Sequence, residues 1–413
     1  MIVLAGARVV TPDGVLDPGT LVIDGDRIVD VHAGGTRGFG HTPLDGHVVV
    51  PGFIDLHVHG IEGFDTLASD DGVAAIAARL PARGVTSFCP TTVACGADDL
   101  RRVLADVRRL RARPGPLAAR VLPAHLESNF IDPGHRGAQP VECLCLPPLV
   151  VGPGFQPRTS RTTDPGAEAP GLHGVAPQMT VDADEILAVI DAAGPDVGIV
   201  TLAPELPGGL DLVRHLLASG RRVSIGHTGA SYEQALAAID AGARHATHLF
   251  NAMPPLLHRA PGAIAAILER QETMAEIVVD GHHVHAPVVR MALALLGRDR
   301  VLAITDGTAG AGLPDGARTR IGPHTVTVGP GTARLADGSM AGSLLTLDQG
   351  FRNLVGAFGL DLPAAVRACS TNPARALGLQ ALGAIVPGAL ADLAVLDPGL
   401  RVVQCYVGGR PQL

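Results

Sequence analysis

Residues 48–60 read VVVPGFIDLHVHG, a β-branched apolar run that closes on two histidines, His57 and His59. Side chains on a strand alternate between its faces, so residues two apart share one and both imidazoles project the same way. A run so continuously apolar suits a strand buried on both faces, as in a parallel sheet covered by helices. Seven more runs of this kind follow, at 85–92, 120–125, 197–202, 222–226, 245–249, 276–279 and 300–305, each ending in polar residues. Ala- and Leu-rich segments with helical spacing fall between them, at 71–82, 98–111, 182–192, 210–218, 231–241 and 287–296. Strand and helix alternating in this way predict an α/β protein built as a (β/α)8 TIM-type barrel.

Outward from the repeat, residues 1–50 and 380–413 are short β-rich runs separated by turn signals such as Pro12-Asp13-Gly14 and Asp24-Gly25-Asp26. They predict a small β-sandwich domain formed by both termini, with residues 51–379 as the barrel. Two insertions interrupt the repeat. Residues 143–178 are rich in Pro, Gly, Thr and Arg without periodicity and read as a lid-like loop after the third strand. Residues 318–335 read as a β-hairpin with turns at Gly322-Pro323 and Gly329-Pro330, followed by helical stretches at 344–355 and 362–368.

Composition narrows the function. The 413 residues are 46% apolar and 17% charged, enough for a large core. The net charge of −8 and the absence of any Arg-rich run leave no electrostatic footprint for nucleic acid or an anionic membrane, so a small molecule is the expected partner. No stretch is long and apolar enough to span a bilayer. The opening MIVLAGARVVTPDG lacks the pattern of a secretory signal, and the six cysteines are scattered, so a cytoplasmic location with reduced thiols is expected. The 32 basic residues are all arginine. Without lysine, Schiff-base chemistry, a Walker-type phosphate lysine and a carbamylated lysine bridging two metals are all excluded.

Barrel enzymes draw their chemistry from the carboxyl ends of several strands. Here the first run ends in His57-Val58-His59, the third in His125-Leu126-Glu127, the fifth in His227 and the sixth in His248; His282, His283 and His285 follow the seventh, and Asp306 ends the eighth. Singly these mean little. A lone His227 or His248 is more often a hydrogen-bonded structural residue, and Asp306 alone would read as a helix cap. Structural histidines have no reason to gather at one end of strands one, five, six and seven beside two acids. Imidazole and carboxylate together suit zinc or a similar first-row divalent ion.

The same residues resemble a known family along nearly the whole chain: the N-acetylglucosamine-6-phosphate deacetylases of the amidohydrolase superfamily. The matching stretches include PGFIDLHVHG (51–60), HLE (125–127), GAQP (137–140), TLAPE (201–205), GHT (226–228), THLFNAMPPLLHRAPG (247–262), AITDG (303–307), AGSLLTLDQ (341–349) and GALADLAVLD (388–397). By this resemblance, Glu127, His227 and His248 are the principal metal ligands, and His57 and His59 match the superfamily's second-metal pair, so that one or two divalent ions, zinc foremost, are implied. Asp306 is implied as general base and then acid. His283, Asn251, Ala252, Gln139 and His258 resemble substrate-holding positions, and Arg259 a phosphate-binding arginine that reaches the neighbouring subunit of a homodimer. The implied reaction is hydrolysis of the N-acetyl amide of an amino-sugar substrate.

Two departures bear on the substrate. The family's HLEGPF reads HLESNF here, with Ser128 and Asn129 expected at the pocket mouth, and the 143–178 loop is longer than the family's. Another N-acetylated amino sugar or an aminocyclitol therefore stands as an alternative. A cyclic-amide or N-acyl-amino-acid hydrolase would keep the histidines and Asp306, and a non-enzymatic scaffold would be expected to lose them.

Overall fold

The structure is a computed structural model and describes residues 1–35, 40–67, 71–148 and 180–412. Most of the lid-like insertion expected at 143–178 thus lies outside the described residues. Phe53–Val58 pairs in parallel with Val85–Thr92. Parallel ladders then run through Ala124–Glu127, Val197–Leu202, Arg222–Ile225, His245–Ala246, Met274–Val278 and Val301–Ile304. Arg120–Val121 also pairs with Val85–Thr92 and, with Ala124–Glu127, makes one interrupted stave; the sheet's nine strands thereby form a nearly closed eight-strand barrel.

Closure is made by polar groups. The Asp306 N–H donates to His57 O at 3.0 Å and the His59 N–H to Gly307 O at 2.9 Å. Beneath them, the Thr305 hydroxyl donates to the Asp55 carboxylate at 2.7 Å. Burial pushes the Asp55 carboxyl up to about 7, against the pull of its Thr305 hydrogen bonds. First and last staves are therefore stitched together directly under the residues expected to do chemistry.

The covering helices are set by their ends. Asp182 caps Ala183–Ala193 by accepting from the N–H groups of Asp184 and Glu185. Ser231 and Gln234 form a reciprocal capping box at the start of Tyr232–Ala241, which stops at Gly242 in the left-handed region with φ 118°. Gly262–Glu269 is a further helix that the sequence reading passed over.

Both termini build one mixed sheet of eight strands. Seven of them run from Arg410–Pro411 through Val402–Val407, Leu393–Leu396, Val48–Pro51, Ile2–Thr11 and Gly14–Asp24 to Arg27–Ala33, and the eighth, Thr42–Pro43, pairs with Ile2–Thr11 off this path. Leu4, Leu21, Ile23, Val49, Leu393 and Val395 form its separate core. The run at 48–58 is not one strand. It breaks at Gly52, whose N–H donates to Asp392 O, so that Val48–Pro51 belongs to the terminal sheet and Phe53–Val58 to the barrel. A Cβ at Gly52 would lie 2.2 Å from the Thr86 side chain, which explains the residue chosen there. The hairpin expected at 318–335 is larger, a four-stranded antiparallel sheet of Arg318–Ile321, His324–Val328, Thr332–Arg334 and Met340–Ser343.

Candidate metal centre

At the carboxyl end of the barrel, Glu127 ends its strand with its side chain buried. Its Oε1 lies 2.9 Å from both His227 Nε2 and His248 Nε2, and those two nitrogens are 3.0 Å apart. The far side of the His227 ring is fixed, its Nδ1–H donating to His135 O at 2.9 Å. Beside this triad, His57 Nε2 and His59 Nε2 are 3.2 Å apart, and Asp306 Oδ1 is 3.5 Å from the first and 3.3 Å from the second. Glu127 joins the two groups, with Oε2 3.3 Å from His59 Nε2. All six predicted ligand and base residues thus converge.

The backbone is strained where they meet. His227, His248 and Asp306 have φ of 48°, 26° and 50°, and the adjoining Phe250 and Ala252 have 79° and 52°. Left-handed conformations at non-glycine residues are held only where the surroundings enforce them, and they gather at functional sites. The effect is to turn each side chain off its strand end and inward.

The donor set fits a divalent cation. Pairs of imidazole nitrogens that face each other at 3.0–3.2 Å across carboxylate oxygens need positive charge between them. In the bare protein protons supply it. Although burial opposes charging, Asp306 and Glu127 lift His59 to about 10, and Glu127 lifts His248 to about 9. Glu127 itself is held well below the usual carboxylate range, its His227 and His57 neighbours outweighing burial. Two groups of residues offer converging ligand atoms here: Glu127, His227 and His248, and His57, His59 and Asp306.

A cavity of about 250 Å³ opens above these groups. His59, Glu127, His227, His248 and Asp306 form its floor, and Gln139, Asn251, Ala252 and His283 its walls. The Gln139 amide donates to Glu127 Oε2 at 2.5 Å and accepts from the Ala94 N–H at 2.7 Å, so it orients the carboxylate as well as lining the pocket. His283 Nδ1–H donates to Asp280 Oδ2 at 2.6 Å, which leaves Nε2 for the cavity. Burial would lower His283, yet the Asp280 carboxylate raises it. His258 and Arg259 are exposed and do not line this cavity. Ser128 and Asn129 do not line it either, which corrects the expectation that they sit at its mouth. Ser128 donates to Thr201 O and Asn129 to the carbonyls of Cys95 and Cys143, so both are buried struts of the wall.

Sequence reasoning missed the far rim, where Ile321, Ser339, Met340 and Gly342 of the four-stranded insertion meet the cavity. It also missed Glu276, buried within the barrel at 3.0 Å from His57 Nδ1. A lone acid inside the apolar run MAEIV was the available signal.

The amidohydrolase family model matches residues 48–411, which spans the barrel and every residue of the floor. The chain belongs to the amidohydrolase family. Among related amidohydrolases, the N-acetylgalactosamine-6-phosphate deacetylase of Escherichia coli O157:H7 is 32% identical over 99% of this chain and 98% of its own length. The N-acetylglucosamine-6-phosphate deacetylase of Lysinibacillus sphaericus is 33% identical over 88% of this chain and 85% of its own. The crystal structure of the Mycobacterium smegmatis N-acetyl-D-glucosamine-6-phosphate deacetylase superposes with a TM-score of 0.86 at 34% identity, covering all of both chains.

Proposed function

We propose that this amidohydrolase removes the acetyl group from N-acetylglucosamine-6-phosphate, giving acetate and glucosamine-6-phosphate. The observation that carries the reading is the Asp306 carboxylate, which stands at the cavity floor against His57 and His59 and beside the Glu127, His227 and His248 triad. Those five residues would hold one or two divalent ions, and the all nitrogen and oxygen donor set suits zinc. A divalent ion bound there supplies Lewis acidity that makes water nucleophilic near neutral pH and polarises the amide carbonyl.

The chain's own residues do the rest. Burial would raise the Asp306 carboxyl, but hydrogen bonding to His59 and the charge of His57 hold it below its ordinary value, so it begins deprotonated. As water adds to the carbonyl carbon, the Asp306 carboxylate accepts its proton; as the C–N bond breaks, the same group returns that proton to the departing nitrogen. His283, whose cation Asp280 favours, faces the pocket as a donor to the sugar or its anionic end. Arg259, exposed on its loop, would serve the phosphate of a second copy in a homodimer, its planar fork matching the dianion. The free cysteines fit a reducing cytoplasm. Among the described residues no helix is long and apolar enough to cross a membrane.

One relative favours a second substrate, N-acetylgalactosamine-6-phosphate, since the Escherichia coli enzyme of that name aligns with nearly the whole chain. The test is acetate release from both phosphorylated sugars and from unphosphorylated N-acetylglucosamine, with and without added zinc. Metal-dependent release from a phosphorylated sugar is expected. No acetate from any of them by metal-loaded protein would refute amino-sugar deacetylation and leave only the amidohydrolase assignment.

A further inference from the structure

Of the four imidazoles in the two ligand groups, His57 alone has its far nitrogen held by a carboxylate. His227 rests on the carbonyl of His135. The Nδ1 atoms of His59 and His248 meet no hydrogen-bond partner among the described residues. His57 Nδ1 lies 3.0 Å from Glu276 Oε2, and the same oxygen accepts from the His248 backbone N–H at 3.3 Å. The other oxygen, Oε1, accepts from His245 Nε2 at 2.9 Å. Glu276 is fully buried, with no arginine among these partners, so its carboxylate is satisfied by histidine and backbone donors.

His57, His125 and Glu276 could themselves be taken for a metal site. Their hydrogen bonds argue otherwise. His125 Nδ1–H already donates to Leu56 O at 2.9 Å and its Nε2 is paired with the Thr201 hydroxyl at 2.8 Å, so neither nitrogen is free to ligate. The group instead forms a polar layer beneath the floor. A carboxylate on Nδ1 obliges that nitrogen to carry the proton, which leaves the Nε2 lone pair facing His59, Asp306 and Glu127 and more basic.

We propose that Glu276 is a positioning residue that fixes the ring and tautomer of His57, and thereby sets the affinity of the His57, His59 and Asp306 cluster for a divalent cation. This rests on the metal-centre reading above. The neighbouring triad meets Glu276 only at the His248 backbone N–H, at 3.3 Å; none of its ligand side chains is held by Glu276, His227 resting on the His135 carbonyl and Glu127 on Gln139, so the two clusters respond differently when Glu276 is changed.

Zinc and cobalt uptake by wild type, Glu276→Gln, Glu276→Ala and His245→Gln, measured by competition with a chromophoric chelator and by the cobalt absorption spectrum, tests this without recourse to turnover. Circular dichroism confirms which variants fold; the near-isosteric glutamine keeps the test alive if the alanine variant does not. Expected is one ion bound as in wild type and a second bound roughly ten- to a hundred-fold more weakly in Glu276→Gln. His245→Gln, which disturbs only the other oxygen, should leave both affinities near wild type. Equal loss in His245→Gln would mean a general structural effect and overturn the proposal, as would unchanged affinity in Glu276→Gln. Wild-type protein that binds a single ion, unaffected by Glu276→Gln, would overturn it too, whereas wild-type protein that binds none would bring down the metal-centre reading itself.

Discussion

A carboxylate buried among histidines does its work only if its charge state is set in advance, and Asp306 is set by His57 and His59. Asp306→Asn keeps the shape and loses the proton acceptor. It should retain the ion held by Glu127, His227 and His248 while kcat falls by roughly a hundred- to ten-thousand-fold, and near-normal turnover would remove Asp306 from the proton path. The Asp280 and His283 pair can be probed by pH. His283 is raised above its ordinary value, so its cation persists below that raised value and is lost as pH climbs through it. Asp280→Asn removes the cause, so the alkaline rise in KM for the phosphorylated sugar should begin at lower pH, and an unmoved profile would count against His283 as a cationic contact. Much of this site is legible in sequence because catalysis demands polar residues at apolar strand ends, which is where Glu127, His227, His248 and Asp306 stand. Glu276 escapes that logic, since it sits within a strand and its role comes from what lies across the barrel.

Among elements outside the barrel, the strand Met340–Ser343 packs directly against the backbone of Asp306. The Ser343 N–H donates to Asp306 O at 2.7 Å, and Gly342, at φ 59°, lets the strand approach so closely that a Cβ would lie 2.9 Å from that same oxygen and 2.5 Å from Thr308 Cγ2. Gly342→Ala should therefore displace Asp306. A fall in kcat of roughly ten- to a hundred-fold with metal content preserved is expected, and wild-type kinetics would show that the strand is passive. Periodicity reveals such a strand poorly, because nothing in AGS states which loop folds back over the cavity. The helix Gly262–Glu269 was hidden for a related reason: GAIAAILE is almost entirely apolar, and a helix buried on most sides shows no polar stripe to mark its period. The barrel staves were readable because burial on both faces writes a continuous apolar run, although Gly52 shows that such a run can serve two sheets in turn.

For the whole molecule, Arg259 tests whether one copy completes the site of another. Arg259→Ala should raise KM for phosphorylated substrate by roughly ten-fold or more and leave hydrolysis of unphosphorylated sugar unchanged; equal weakening of both would refute a phosphate role. Within one copy, the terminal sheet is tied to the barrel by Arg120, whose guanidinium donates to Asp392 Oδ2 at 2.8 Å and Oδ1 at 3.1 Å, while the Gly408 N–H also donates to Oδ1. That sheet joins Val48–Pro51 to Leu393–Leu396, with nearly the entire barrel lying between them in sequence. On a ribosome the first of these strands emerges before the barrel, and its partner is made only after it. Throughout that interval Val48, Val49 and Val50 can pair on one side with Ile2–Thr11, but their other side presents an uncharged, β-prone edge that awaits Leu393–Leu396, the kind of edge on which stray chains assemble. The stretch synthesised after the barrel is thus the piece that shields one laid down before it, and a chain interrupted between the two would carry its whole metal centre with that strand's edge uncovered.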